Sequence, residues 1–219
     1  MQRLIKNTTR RARRKLANLP PLRWAWSDRY LLLLAIEAER APQAAPGDEF
    51  DCNNLEHLRC FRQTERWLSP EAFIAEARER IGAGLRLYTA VGDGVLLHYG
   101  WLVPLQERAQ FPYVAQSYDF PDGTAVLFNA YTHPSARGSG LHERSMRRRV
   151  ADAARLPGVR HIYTAIEAHN APSRAVAART GFRCAEVLYE VSRFGVVRRG
   201  RMTPEEYFKR VEPRGRSFL

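Results

Sequence analysis

The stretch "HPSARGSGLHERSMRRRV", residues 133–150, sets two glycines around a serine directly behind an arginine, with a helix-like run following at once. Gly138 and Gly140 remove side chains where backbone must curl, and they admit positive φ. A loop leading from a strand into a helix N-terminus points several free backbone N–H groups at one spot. The helix dipole adds partial positive charge there, so an oxyanion is welcome. Arg137 adds a full charge and a forked donor. A tight turn before a basic helix would use the same glycines, so the surroundings have to decide between the two.

Working outward, "TAVLFNAYTH" (124–133) reads as a buried strand running straight into the loop. Behind the loop come a helix "GLHERSMRRRVADAARL", a strand "VRHIYTAIE", a helix "APSRAVAARTGF" and a strand "AEVLYEVSRF". Ahead of it, "RYLLLLAIE" is short, apolar and bounded, as a strand is. "NNLEHLRCFRQTERWL" spaces Leu55, Leu58 and Phe61 on one helical face. "SPEAFIAEARERIGAG" is a punctuated helix, with Ser69 as N-cap, Pro70 at the first position and glycines at the end. Two strands, "LRLYTAV" and "VLLHYGWLV", are joined by Gly92-Asp93-Gly94 as a hairpin. Residues 104–123 form a polar and aromatic connection. This mixture of hairpins and crossovers predicts an α/β (α+β) sheet covered on both faces.

About thirty residues past the loop, "NAPSRAVAARTGF" begins a helix at Asn170 and closes it with Gly181-Phe182. Together with Thr132-His133-Pro134 and the loop, the whole 128–182 segment resembles the core of the GCN5-related N-acetyltransferase (GNAT) superfamily. The resemblance implies a mixed, mostly antiparallel sheet with helices on both faces. It implies acetyl-coenzyme A, or another acyl-coenzyme A, as co-substrate; no metal is expected, because the histidines lack ligand spacing. Arg137, Gly138, Ser139, Gly140, Leu141 and His142 would then cradle the pyrophosphate. Thr132 would lie beside the pantetheine arm, and Asn170 and Ser173 would contact the far side of the cofactor. Two positions depart from the pattern. His142 stands where Gly or Ala is usual, and Ala177 stands where the family often places a tyrosine that protonates the leaving thiolate.

Attack of an amine on a thioester needs a neutral amine and help for the departing thiolate, and a base with pKa near the working pH suits the first task. Strict alternation along "TAVLFNAYTH" puts Asn129, Tyr131 and His133 on one face and Val126, Phe128 and Ala130 on the other. His133 is the candidate base, Tyr131 the candidate acid, and Asn129 completes the row. Equally, Asn129 and Tyr131 satisfy neighbouring backbone and His133 caps the loop. Tyr118 and Asp119, in the 104–123 connection, are weaker candidates at the acceptor side. The run Arg147, Arg148, Arg149 is either a solvated helical face or a contact for adenosine phosphates. His57, His98, His161 and His169 lack metal-ligand spacing.

The chain has 219 residues, 45% of them hydrophobic, enough for a domain with a real core. Of its net charge of +12, eight units fall in residues 1–27, which contain no acid. The expected organisation is a basic N-terminal tail at 1–27, an acyltransferase domain at 28–198 and a basic C-terminal tail at 199–219. The N-terminal tail suits an anionic surface, membrane or nucleic acid, and also resembles a mitochondrial presequence. Three cysteines without ligand pairing fit a reducing compartment, and no secretory signal or bilayer-length apolar run is expected. The expected location is cytoplasmic, with a peripheral membrane contact through the tail. The leading function is acyl transfer to an amine or hydroxyl. A surface-binding protein built on the tail, or a non-catalytic coenzyme A-binding relative, are the alternatives.

Overall fold

The computed structural model describes residues 26–43, 50–64 and 69–212. In chain order the elements begin with strand β1 (Trp26–Glu37), the short strand β2 (Asp51–Cys52), helix α1 (Leu55–Leu58) and helix α2 (Pro70–Gly82). Strands β3 (Arg86–Gly92), β4 (Val95–Val103), β5 (Arg108–Phe111), β6 (Gln116–Asp119) and β7 (Thr124–Thr132) follow. Helix α3 (Leu141–Ala154), β8 (His161–Glu167), helix α4 (Ala171–Thr180), β9 (Arg183–Arg193), β10 (Val196–Met202) and helix α5 (Pro204–Arg210) complete it.

Leu31, Leu32, Leu33 and Leu34 are all buried because β1 is covered on both faces. Leu32 and Leu34 pack with α3, α4 and α5, while Leu31 and Leu33 pack against Val114, Tyr118 and Phe120. The strand lies between β8 and β9 and is antiparallel to both. The eight-stranded sheet runs β10-β9-β1-β8-β7-β4-β3-β2, with β5 and β6 as a separate hairpin. Among the described residues its one parallel pair is β7–β8, since helix α3 carries the chain across between them.

Local signals account for several elements. Ser69 Oγ accepts from Ala72 N–H at 3.2 Å, capping α2. The β3–β4 turn has Asp93 at φ 50° and Gly94 at φ 70°, the left-handed pair that a tight hairpin needs. Helix α2 then seats Phe73 and Ala77, with Leu58 and Phe61, on Leu87, Tyr99 and Trp101 of the sheet.

Three expectations are corrected. The boundary expected between 27 and 28 falls inside a strand, which begins at Trp26. The connection at 104–123 contains the β5–β6 hairpin, whose strands of four residues are too short for their pattern to stand out. Residues 199–212 are not a tail, and the rest of the expected C-terminal tail, 213–219, lies outside the described residues. The described part finishes β10 and forms α5, whose capping box at Thr203 and Glu206 launches Tyr207 and Phe208 into the core at 2% and 0% exposure. The expected N-terminal tail lies outside the described residues, apart from Trp26 and Ser27 at the start of β1.

Candidate functional site

Two irregularities in β7 make the site. Strands β7 and β8 pair from Thr124↔His161 only as far as Leu127↔Thr164, and then part. On its other edge, β7 is out of step with β4: Tyr99 faces Tyr131, but Trp101 faces Phe128, leaving Asn129 and Ala130 opposite Gly100 alone. This is a β-bulge, and Asn129 takes φ 45° in it.

The bulge overturns the expected row of polar groups. The extra residue puts Tyr131 on the same face as Phe128, so Asn129, Tyr131 and His133 do not line up together. Tyr131 stacks on Tyr99 with ring centroids 5.4 Å apart, and its hydroxyl makes a short hydrogen bond with Thr64 Oγ1. Thr132 faces the other way, its Oγ1 2.8 Å from His98 Nδ1. His133 takes a local role: its Nδ1 accepts from Ser135 N–H at 3.3 Å and lies 2.7 Å from Ser135 Oγ, capping the turn Pro134–Ala136.

The loop has the form its glycines foretell. Gly138 and Gly140 both sit at φ 82°, and a Cβ on Gly138 would meet nothing within 4 Å. Its glycine is there for the dihedral, and the space above it is open. Gly140 is the N-cap of α3 and offers no side-chain acceptor, so the first-turn N–H groups have no side-chain cap. Ser139 Oγ donates to Ala136 O at 2.7 Å, and Arg137 Nε donates back to Thr132 O at 3.3 Å. Leu141 drops into the core at 5% exposure.

Between the parted strands lies a cleft of about 290 Å³. Asn129 and Ala130 wall one side, and Ala165 and Glu167 the other. His142, Met146 and Arg149 of α3 and Asn170 and Ser173 at the start of α4 close it from the helix side. Asn170 Oδ1 accepts from Ser173 N–H at 3.2 Å, so the two act first as the cap of α4. The structure thus gathers Asn129, His142, Asn170 and Ser173 around one space, and leaves Tyr131 and His133 outside its lining. Tyr118 is packed under the sheet against Phe120 and Tyr163, and Asp119 pairs with Arg108. Ala177 is fully buried.

Glu167 escaped the sequence reading, which took His98 only as lacking metal-ligand spacing and Arg149 only as one of a run of three. Glu167 ends β8 at the cleft, 3.3 Å from His169 Nε2. His98 is fully buried on β4, its ring 5.8 Å from that of His142. Arg149 is not on a solvated face: it is 1% exposed, donating from Nε to Ser145 O and from Nη1 to Trp101 O. Its neighbours do face outward, Arg147 pairing with Glu143 and Arg148 with Asp152. The helical spacing of Ser145, Met146, Arg149 and Val150 carried the signal. Burial lowers the Arg149 guanidinium to about 10, still charged at neutral pH. Burial, then the Arg149 charge, hold His142 down at about 4, and the same two causes keep His98 well below its ordinary value.

Residues 52–182 match the model of the acetyltransferase (GNAT) family. Among solved structures, a putative GNAT acetyltransferase from Novosphingobium aromaticivorans is 17% identical over 74% of this chain and 63% of its own, with a TM-score of 0.50. A GCN5-related N-acetyltransferase from Sphaerobacter thermophilus is 12% identical over 82% of this chain and 54% of its own, with a TM-score of 0.49. An aminoglycoside N-acetyltransferase in complex with coenzyme A is 19% identical over 61% of this chain and 90% of its own, with a TM-score of 0.43. The chain spans from about half to two thirds of the length of several of the solved structures it matches. No curated protein sequence is significantly similar to it. The similarity to the Novosphingobium structure concerns the fold; the family match, which covers more than half of the chain, is what places it. With its parted β7 and β8, its glycine loop and that match, this chain belongs to the GNAT acetyltransferase family.

Proposed function

We propose that the protein transfers an acyl group from acyl-coenzyme A directly to an amine or hydroxyl of a small acceptor. The observation that carries this reading is the parting of β7 and β8 after Leu127↔Thr164. It leaves the facing edges of two strands without a ladder, with Asn129 and Ala130 of β7 open to solvent beside the cleft. The amide-bearing pantetheine arm suits that gap as an added strand suits a sheet edge. Its pyrophosphate would meet the first-turn N–H groups of α3 beyond Gly138 and Gly140. Asn170 and Ser173 line the cleft together with His142, the residue that follows the loop, and suit the arm's far side.

In the reaction the acceptor nitrogen bonds to the thioester carbonyl carbon, and charge develops on the carbonyl oxygen. The bulge at Asn129 and Ala130 frees backbone from the ladder, and a main-chain N–H there is a suitable donor to that oxygen. The C–S bond then breaks, the nitrogen loses its proton, and the thiolate gains one, leaving an amide and coenzyme A. Glu167 is the carboxylate that lines the cleft and is our choice to accept the proton, directly or through water. His133, Tyr131 and Asn129 follow as candidates. The capping role of His133 and the Tyr131–Thr64 contact favour positioning roles on β7 for the first two. The eight basic residues of the segment 1–27 favour an additional contact with an anionic surface.

Calorimetric titration with acetyl-coenzyme A and with coenzyme A tests the reading, repeated on Gly138→Glu. Micromolar binding by the parent, weakened tenfold or more by the added negative charge, supports it. A folded parent that binds neither compound overturns it.

A further inference from the structure

Among the described residues, four buried side-chain polar atoms without a hydrogen-bond partner gather behind the bulge: His98 Nε2, His142 Nε2, Ser145 Oγ and Arg149 Nη2. His142, Ser145 and Arg149 recur at i, i+3 and i+7, so one face of α3 presents all three. Polar atoms buried without partners are rare, and each calls for a reason.

Charge makes the case sharper. Both carboxylates of α3 are engaged elsewhere, Glu143 with Arg147 and Arg179, and Asp152 with Tyr88, Arg148 and Arg155. Arg149 has no ion pair among the described residues, and the two histidines beside it are neutral. A charge taken out of water without a counter-charge costs several kcal/mol. Packing does not compel it to lie there, because its space exists only through Gly100, where a Cβ would sit 2.7 Å from Arg149 Cζ. The missing partner is an anion.

Position says which anion. Arg149 lies eight residues past Leu141, about 12 Å along the helix from the N-terminal turn. That is too deep for the pyrophosphate, which belongs at the loop. It is the depth at which the thioester end of the arm arrives, since Gly100 and Trp101 face the bulge of β7.

We infer that the acyl group of the donor ends in a carboxylate, and that Arg149 receives it through Nη2, with His142 and Ser145 as further hydrogen-bonding groups. The substrate class is the coenzyme A thioester of a short dicarboxylic acid. This rests on the acyl-transfer reading above and narrows it. The transfer step keeps its balance: the C–S bond breaks, the new C–N bond forms, and the distal carboxylate is untouched.

The test is a calorimetric comparison of succinyl-coenzyme A, acetyl-coenzyme A and free coenzyme A on the full chain at one pH and salt. Succinyl-coenzyme A is expected to bind at least tenfold more tightly than acetyl-coenzyme A. Arg149→Met should abolish that ratio, and Gly100→Ala, which crowds the guanidinium, should reduce it should the first variant not fold. Acetyl-coenzyme A binding as tightly as succinyl-coenzyme A, with free coenzyme A also bound, overturns this inference alone. Failure of all three to bind a folded parent overturns the acyl-transfer reading and this one with it.

Discussion

Gly100 and Arg149 share one space: a methyl group on the glycine would lie 2.7 Å from the guanidinium carbon and 2.9 Å from Nη1. The absent side chain at the bulge of β4 and β7 is what allows a cation to lie flat against the sheet. Gly100→Ala should therefore lower unfolding stability by about 1–3 kcal/mol, the usual range for overpacking a filled core. Arg149→Met in the same chain should return part of that loss, because the flexible thioether yields where the planar guanidinium cannot. Urea denaturation of the four proteins measures it. A Gly100→Ala variant as stable as its parent would show that the two residues do not compete.

Acid should loosen the protein through the histidines facing Arg149. In the unfolded chain a histidine titrates near 6.5, whereas His142 in the fold titrates at about 4 and His98 is lowered as well. Between those values the unfolded chain takes up protons that the folded chain refuses, so stability falls as pH drops from about 6.5 toward 4. Above that window these groups contribute nothing to the slope. For His142 the full loss amounts to about 3 kcal/mol at the acid end. The stability gap between parent and His142→Gln, followed by denaturant midpoints across the window, should shift by that order. A constant gap would mean that His142 is not held neutral.

Helix α5 belongs to the core rather than to a tail. Phe208 is fully buried beside Tyr207, while Phe194, in the β9–β10 turn, is 73% exposed. Phe208→Ala should lower stability by about 3–5 kcal/mol. Phe194→Ala should stay within about 0.5 kcal/mol of the parent. Equal effects in thermal or urea unfolding would remove α5 from the folded unit.

Glu167→Gln separates binding from chemistry. With any amine that the parent acylates, the variant should bind coenzyme A and yet turn over about 10²–10⁴-fold more slowly, as loss of a proton acceptor requires. Steady-state kinetics beside a coenzyme A titration reads both quantities. Undiminished turnover would assign the proton to another group.

The architecture was legible where a residue type answers one local demand. Gly138, Gly140, Ser69 and the Gly92-Asp93-Gly94 turn each announce a backbone geometry, and the structure has them. Alternation failed at Asn129, because a bulge adds one residue and turns every following side chain to the opposite face. Nothing in "TAVLFNAYTH" marks that extra residue. Arg149 was legible by helical spacing but hidden inside a run of three arginines, two of which do face outward. Helix α5 was missed behind the basic residues of 199–219, although Thr203 and Glu206 stand at capping-box spacing ahead of Tyr207 and Phe208. The site of Glu167 was not legible, because it depends on where two strands separated by a whole helix stop pairing.

Hydrogen exchange of the full chain with and without coenzyme A tests most directly whether the parted strands hold the cofactor. Backbone amides of residues 128–132 and 138–143 should slow together when coenzyme A is added, with Gly138→Glu suppressing both changes. Binding that leaves those two segments unchanged, or that protects a different part of the chain, would contradict the placement of the cofactor between β7 and β8.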